Sequence, residues 1–305
     1  MAKESTNIIT LTGDLGSGKS KTGKLICSHI PGFDYISTGD IQRKLAEDLG
    51  MTTLEMNKLA ETDPTIDIKI DSIFVSLKNT SEKLVVDSRM AWYFLPNSFK
   101  IMLKADIDIT TQRVMHDKMR KSETAQAPDY EVLKRSLQAR KASETKRFIE
   151  KYNANGNDVN NFDIIVETSF ISADDVAEIV IKNYYKWVNK QSYAKFWVSP
   201  KQLLPTKQTD GIIKNIGFDE AEPVVIVVYR EMYFILDGHK RVSDALKNGV
   251  HYISTVLINS YEILNDAKSA NQFIEKQYHK SIVDKWQEDH GFAFFKTFIP
   301  NLYHD

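Results

Sequence analysis

A chain of 305 residues, 42% hydrophobic and 27% charged, has an ordinary globular composition and room for two domains with a core each. Its 41 acidic and 40 basic side chains nearly cancel, which speaks against a strongly basic nucleic-acid-binding protein and leaves only a local basic patch open. The single cysteine, Cys27, excludes an intrachain disulfide and a cysteine-built metal site.

Met1 to Asn7 is polar and leads into no apolar signal-peptide core. The longest apolar runs, such as Val224 to Tyr229, have strand length and fall far short of a membrane span. A cytoplasmic protein without a membrane partner is expected. Ile8-Ile9-Thr10-Leu11 predicts a strand and Thr22 to His29 a helix. Between them stands Gly13-Asp14-Leu15-Gly16-Ser17-Gly18-Lys19-Ser20. Strand, glycine loop and helix is the order that a P-loop requires. Gly13, Gly16 and Gly18 let the backbone N–H groups around Ser17 turn inward on a phosphate, which the helix N-terminus also favours. Lys19 then reaches the β/γ-phosphates and the Ser20 hydroxyl a Mg²⁺ ion, so ATP and Mg²⁺ are the expected ligands. The plainer alternative is a glycine turn; the Lys, the Ser and the flanking elements favour the P-loop. Cys27, in the following helix, reads as a small core residue.

Short apolar runs at Tyr35-Ile36, Leu84 to Val86, Ile101 to Leu103 and Ile164 to Val166 predict further buried strands, with helical patterns between them. Such alternation implies an α/β fold, a parallel sheet with helices on both faces, here over residues 1–188. The helix predicted from Ala173 to Trp187 carries Val176, Ile179, Val180 and Tyr184 at helical spacing and should pack on that sheet.

Three places in this half suit anions. Ser37-Thr38-Gly39-Asp40, with Arg43 one turn on, sets small hydroxyls and a glycine at a helix start; an ordinary cap is the equal alternative. Asp87 follows the strand Leu84 to Val86, where ligands bind in parallel sheets, and could position Mg²⁺-bound water or a ribose hydroxyl. Arg89 could hold a phosphate. Arg140 and Arg147 lie seven residues apart on a basic helix predicted from Asp129 to Tyr152, hence on one face. Two guanidinium groups so placed can clamp an acceptor, although taken alone the helix reads as a solvated basic face.

Together these residues resemble the archaeal-type cytidylate kinase family of nucleoside monophosphate kinases, over about residues 8–169. The matching pieces are Gly13 to Ser20, Ser37 to Asp40 with Arg43, and Leu59-Ala60-Glu61-Thr62-Asp63-Pro64 followed by Ile66-Asp67. Further on, Arg140-Lys141-Ala142-Ser143-Glu144-Thr145-Lys146-Arg147-Phe148 is similar to the family's Arg-Glu-x-Ser-Glu-x-x-Arg-Tyr helix, and Tyr152 and Phe162 to Ser169 to its closing strand. The resemblance implies ATP on the P-loop and a nucleoside monophosphate, CMP or dCMP, between Ser37, Thr38, Gly39, Arg43, Arg89, Arg140 and Arg147. It implies Lys19, Asp87 and the arginines as the catalytic set, with Ser20 and Asp87 toward the metal. Ser88 stands where the family has Gly. The lid's Arg-Ile-x-x-Arg-Glu appears as Arg113-Val114-Met115-His116-Asp117-Lys118, which keeps Arg113 for the ATP side and changes the second Arg to Asp117, with Lys118 or Arg120 as substitutes. Lys118 to Ala127 should close over both nucleotides.

Asn189 to Tyr193 is polar and reads as a linker. Residues 194–259 then read as a small α+β domain. It has a strand at Phe196 to Val198, a hairpin of Pro223 to Tyr229 and Tyr233 to Leu236 turning at Arg230-Glu231, a helix from Lys240 to Lys247 stopped by Asn248-Gly249, and a strand from Tyr252 to Leu257. Asp237-Gly238-His239-Lys240-Arg241 resembles the Asp-Gly-His-x-Arg motif of the ParB/sulfiredoxin-like superfamily, which implies a second phosphate site at Asp237, Gly238, His239 and Arg241. Residues 260–305 read as a mostly helical extension, whose Phe292, Phe294, Phe295 and Phe298 suit packing, including a homo-oligomer contact. The expectation is ATP-dependent phosphoryl transfer to a nucleoside monophosphate. Two other readings fit the same residues: a nucleotide-dependent regulatory or partition-type binding protein, and a small-molecule kinase, for free serine for example, that acts through the second domain.

Overall fold

The computed structural model describes residues 7–51, 55–56, 59, 63–78, 80–117, 129–208, 222–259 and 269–297. The chain divides into two compact units, Met1–Tyr193 and Ala194–Asp305, so the boundary falls at the end of the polar stretch read as a linker.

In the first unit the apolar runs become strands β1 (Ile8–Gly13), β2 (Phe33–Ser37), β3 (Lys83–Asp87), β4 (Phe99–Lys104) and β5 (Ile164–Glu167). Their order is β2-β3-β1-β4-β5 and every pairing is parallel. β1 is buried along its whole length, which is why Ile8 to Leu11 shows no polar alternation. Ile9, Leu11, Val85, Ile101, Leu103, Ile164 and Val166 are fully buried, and truncating one such Ile or Leu to Ala costs about 2–5 kcal/mol.

The helices are α1 (Lys19–His29), α2 (Thr38–Asp48), α3 (Pro64–Leu77), the single turn α4 (Ala91–Phe94), α5 (Ile107–His116), α6 (Tyr130–Tyr152) and α7 (Ala173–Val188). Along α7, Val176, Ile179, Val180 and Tyr184 form the buried stripe, and the Tyr184 ring meets Phe33 edge-on at 5.6 Å. α6 has no fully buried residue among those described; Leu133, Leu137, Phe148 and Tyr152 lie half-buried along it, and caps, ion pairs and ring contacts add to that face. The strand order reverses at β1: β2 and β3 lie on one side of it, β4 and β5 on the other. Ligands bind above the carboxyl end of a strand at such a reversal. Leu11 pairs with Asp87, and Gly13 with Leu103, so the glycine loop leaves β1 between the ends of β3 and β4.

The second unit holds β6 (Phe196–Val198), β7 (Leu203–Leu204), β8 (Val224–Tyr229), β9 (Met232–Asp237) and β10 (Ile253–Ile258) in the order β6-β10-β8-β9-β7. β8 and β9 form the expected antiparallel hairpin, and Arg230 and Glu231 turn it with φ of 48° and 62°. Positive φ at both turn residues matches the twist of a two-residue hairpin, at a cost because neither residue is Gly or Asn. α8 (His239–Lys247) follows β9, and α9 (Ala270–Gln277) and α10 (Lys280–His290) come from the stretch that the sequence sets apart as an extension. Both pack within this unit: Ile274 and Trp286 are buried, and Tyr278 meets Phe234 edge-on at 5.9 Å. Phe292 and Phe294 lie in ring contact at 5.0 Å, Phe295 is exposed, and Phe298 lies outside the described residues. Among the described residues no helix is long and apolar enough to cross a membrane.

Candidate active site

The glycine loop closes on itself. Ser17 donates from its amide and its hydroxyl to the Asp14 carbonyl, at 3.2 and 2.7 Å. Gly13 has no room for a side chain, since a Cβ there would stand 2.3 Å from the Leu103 carbonyl oxygen. Gly18 is the N-cap of α1, with φ 91° and no side-chain cap. The contrast with the rest of the unit is informative. Ser37, Asp63, Asp106, Asp129 and Ser172 cap α2, α3, α5, α6 and α7, each accepting from a backbone amide of its own helix's first turn. Only α1, among the described helices longer than one turn in this unit, opens its first-turn amides without a side-chain acceptor, which is what a bound phosphate needs. Lys19 Nζ donates to the carbonyls of Gly13 at 2.6 Å and Asp14 at 2.9 Å, across the mouth of the loop.

Ser20 and Asp87, 67 residues apart, meet beside it. The Ser20 hydroxyl donates to Asp87 Oδ2 at 2.8 Å. The Tyr35 hydroxyl donates to the same oxygen at 2.7 Å. Thr38 Oγ1 donates to the Asp87 carbonyl at 3.2 Å. Burial, and then the Asp87 charge, push the Tyr35 phenol upward, so it stays a donor at neutral pH. A hydroxyl and a carboxylate at the edge of a phosphate cradle are hard oxygen donors, the set that suits Mg²⁺ shared with a nucleotide. The residues therefore fit that ion. Among the described residues no cluster of three or more His, Cys, Asp or Glu side chains forms an all-protein metal site.

Arg89 and Arg140 meet at a carboxylate that sequence reasoning passed over as a ligand. Glu144 pairs with Arg89 through one oxygen and accepts from Arg140 Nε at 2.9 Å through the other. The signal was present, because Glu144 stands four residues after Arg140. Arg147, three residues on, lies over the Phe148 ring at 5.5 Å, and its Nε is buried without a hydrogen-bond partner among the described residues. Ser37 is occupied as the cap of α2, accepting from Asp40 N at 3.3 Å, and Arg43 pairs with Asp40 beside Gly39. The ordinary-cap reading of this segment thus holds in the structure, and an anion there has to displace Asp40 from Arg43. Ser88, where a glycine was expected by resemblance, is buried; its hydroxyl accepts from Met90 N and its carbonyl from Thr12 Oγ1.

Arg113 faces the loop from behind. It donates to the carbonyls of Gly16, Thr168 and Ser169 at 3.2, 2.7 and 3.3 Å, so its guanidinium braces the loop's backbone. Thr168 Oγ1 completes that brace by donating to the Ser17 carbonyl at 3.0 Å. Burial pushes the Lys104 ammonium down, and Lys141 does the same, against Asp14 and Glu167. Lys141 also pairs with Asp14 at 2.6 Å and so ties α6 to the loop. Cys27 is half-buried and its thiol is pushed up to about 11 by burial, which leaves it unreactive. Asp117 caps the end of α5; Lys118, Arg120 and the rest of the lid lie outside the described residues, as do Ala60 to Thr62.

In the second unit, Gly238 starts α8 with φ 94° and no side-chain cap, much as Gly18 starts α1. Its neighbours point elsewhere. Arg241 pairs with Asp237 at 3.1 Å and donates to the Pro223 carbonyl at 3.2 Å. His239 is buried, and its Nε2 accepts from the Thr206 amide at 3.1 Å. Burial pushes its imidazole down to about 4. A groove of about 260 Å³ lies between α2 and α3, lined by Ile41, Lys44, Leu45, Asp48, Lys69 and Ile73, and none of the site residues named from the sequence lines it.

Comparison with known proteins bears on the first unit. A family model described as the cytidylate kinase-like family matches residues 8–170. The chain is 30% identical to the cytidylate kinase of Methanococcoides burtonii over 162 residues, 53% of this chain and 87% of the relative. It is 33% identical to that of Halobacterium salinarum over 176 residues, 57% of this chain and 87% of the relative. It is also 30% identical, over 179 residues, to the S-adenosylmethionine-dependent nucleotide dehydratase of Lacinutrix mariniflava, of whose length it spans 36%. Among solved structures it is similar to the shikimate kinase from Acinetobacter baumannii in complex with shikimate, with a TM-score of 0.41 and 16% identity over 63% of this chain and 98% of that one.

Proposed function

The chain belongs to the cytidylate kinase-like family over residues 8–170, and from that premise we propose that it moves the γ-phosphoryl group of ATP onto CMP or dCMP. It is a nucleoside monophosphate kinase-like phosphotransferase; the acceptor base and the residue roles below are our reading. The observation that carries it is the start of α1. That helix has no side-chain cap, and its first turn presents Lys19 and a Ser20 already bonded to Asp87.

The reaction is an in-line displacement. An oxygen of the acceptor phosphate attacks the γ-phosphorus, the bond from that phosphorus to the β-bridging oxygen breaks, and ADP leaves. No general base is needed, because the acceptor phosphate is already ionised near neutral pH. The first-turn amides of α1 and Lys19 hold the triphosphate, and Lys19 gives up the Gly13 and Asp14 carbonyls to do so. Ser20 and Asp87 would hold Mg²⁺, which would supply positive charge to offset that of the transferring group. Arg89, Arg140 and Arg147 hold the acceptor phosphate, and Glu144 keeps the first two paired and placed until it arrives. Arg43 takes the far side of the acceptor. Arg113 acts by bracing the loop.

In the second unit, the uncapped, left-handed start of α8 at Gly238 favours a separate phosphate seat of the ParB/sulfiredoxin-like kind at Asp237 to Arg241. An anion there has to part Arg241 from Asp237. We assign this seat no part in the transfer.

The test is ADP release from ATP and Mg²⁺ by the full chain, against a panel of nucleoside monophosphates and free serine. CMP or dCMP stimulates release most. If no monophosphate stimulates it, the reading fails and a binding protein without turnover takes its place.

A further inference from the structure

We propose that Tyr35 is a positioning residue for the metal-bound triphosphate, acting through Asp87; the proposal rests on the kinase reading of the site. Asp87 Oδ2 receives two hydroxyl donors, from Ser20 at 2.8 Å and Tyr35 at 2.7 Å. A carboxylate held by one donor can still rotate about its Cβ–Cγ bond. Two donors on the same oxygen from different elements, α1 and β2, fix that rotation. Thr38 fixes the backbone of the same residue through the Asp87 carbonyl.

The geometry makes Ser20 the beneficiary. A serine hydroxyl that ligates a cation must send its proton elsewhere, so that a lone pair faces the ion. Asp87 Oδ2 is the acceptor that takes this proton, and Tyr35 holds the acceptor in place. The tyrosine is itself locked. Its ring lies against Gly23 of α1, where a Cβ would stand 2.5 Å from ring carbon Cε2 and 2.9 Å from Cδ2. The helix that carries Ser20 thus has a glycine one turn on, at the point where the ring of Asp87's second donor passes. Neither Tyr35 nor Gly23 belongs to the P-loop pattern, and each has a position that the other explains. The group served is a divalent cation on a nucleoside triphosphate.

The experiment is equilibrium binding of a fluorescent ATP analogue to the full chain, in chelator and in excess Mg²⁺, for wild type, Tyr35→Phe and Ser20→Ala. The Phe variant keeps the ring against Gly23 and removes only the hydroxyl. Its affinity in chelator should equal that of wild type, and the gain in affinity on adding Mg²⁺ should shrink about tenfold, as expected for losing one hydrogen bond to a charged group. Ser20→Ala should lose the same gain. If Tyr35→Phe keeps the full gain while Ser20→Ala loses it, Tyr35 has no such role. A fall of the Phe variant's affinity by the same factor with and without the ion also overturns the proposal, because that is the mark of a general packing defect. A wild type that binds the analogue no better with Mg²⁺ overturns the kinase reading itself, and this proposal with it.

Discussion

The Nε of Arg147 is buried and has no hydrogen-bond partner among the described residues. An unpaired buried donor of a charged group is expensive, and a protein gains nothing from it in the free state. Its neighbours Arg89 and Arg140 avoid that cost by sharing Glu144. In the function proposed above, the acceptor phosphate supplies what Arg147 lacks. Arg147→Met should therefore leave the melting temperature equal or slightly higher, while the KM for the monophosphate rises about 10–100-fold, the worth of one charge-assisted hydrogen bond. Thermal melting and steady-state kinetics on the same preparation check both halves; a variant that melts lower and keeps its KM makes Arg147 a structural residue. In the same proposed reading Lys19 stands at the donor end of the transfer. Its ammonium lies on two loop carbonyls at 2.6 and 2.9 Å, so Lys19→Ala removes a neutralising charge from the donor site. A loss of kcat of about 10²–10³-fold or more is expected, with the fold intact, since a partly exposed lysine contributes little to stability.

At the level of elements, α8 of the second unit carries the clearest dependence on pH. His239 is buried, its Nε2 accepts from Thr206, and its imidazole is pushed down to about 4 by burial. The unfolded chain protonates this ring near pH 6.5, so between about 6.5 and 4 it binds more protons than the folded chain. Stability is then complete above 6.5 and falls as the pH drops toward 4, by roughly 3 kcal/mol from this group. Burial lowers His290 as well, in the same direction. His239→Gln, which can still accept from Thr206, should flatten the fall in melting temperature between pH 6.5 and 4.5; an unchanged slope removes His239 as its cause. The sequence carried the elements better than such contacts. Strands β1, β3, β4 and β5 were legible because a parallel strand buried on both faces reads as a nearly unbroken apolar run, and α7 because its stripe repeats at helical spacing; β2, an edge strand with a half-exposed middle, showed only Tyr35-Ile36. The P-loop was legible because its glycines, Lys19 and Ser20 are contiguous. Tyr35 was not, since it touches Asp87 across 52 positions; Glu144 was legible only in part, its i,i+4 bond to Arg140 being marked by spacing and its pair with Arg89 being made by the fold. α6 was read as a helix aiming arginines at the site; its lack of fully buried residues and the Lys141–Asp14 pair that ties it to the loop have no mark in periodicity.

The whole molecule places phosphate-suited helix starts in both units, at Gly18 and at Gly238, each in the left-handed conformation and each without a side-chain cap. Their surroundings differ. Around Gly18 stand a lysine lying over loop carbonyls, a serine paired with a strand-end carboxylate, and a loop braced by Arg113 and Thr168. Around Gly238 the one arginine of the motif is tied to Asp237 and Glu222, and the histidine is turned inward to Thr206. A phosphoryl group in transit needs positive charge and hard oxygen donors beside its cradle, and the surroundings of Gly18 bring both kinds of side chain together. The family match also ends at residue 170, within the first unit. Two substitutions in the full chain set the units against each other. Lys19→Ala should abolish monophosphate-dependent ADP release, while Asp237→Ala should keep kcat and the KM for the monophosphate at wild-type values. Asp237 is exposed and its partner Arg241 keeps its bond to the Pro223 carbonyl, so the second substitution should change the melting temperature little. If Asp237→Ala alone stops the activity, the chemistry lies in the second unit. If it stops release with serine but not with monophosphates, the chain holds two kinase sites, and the uncapped start of α8 is the donor cradle of the second.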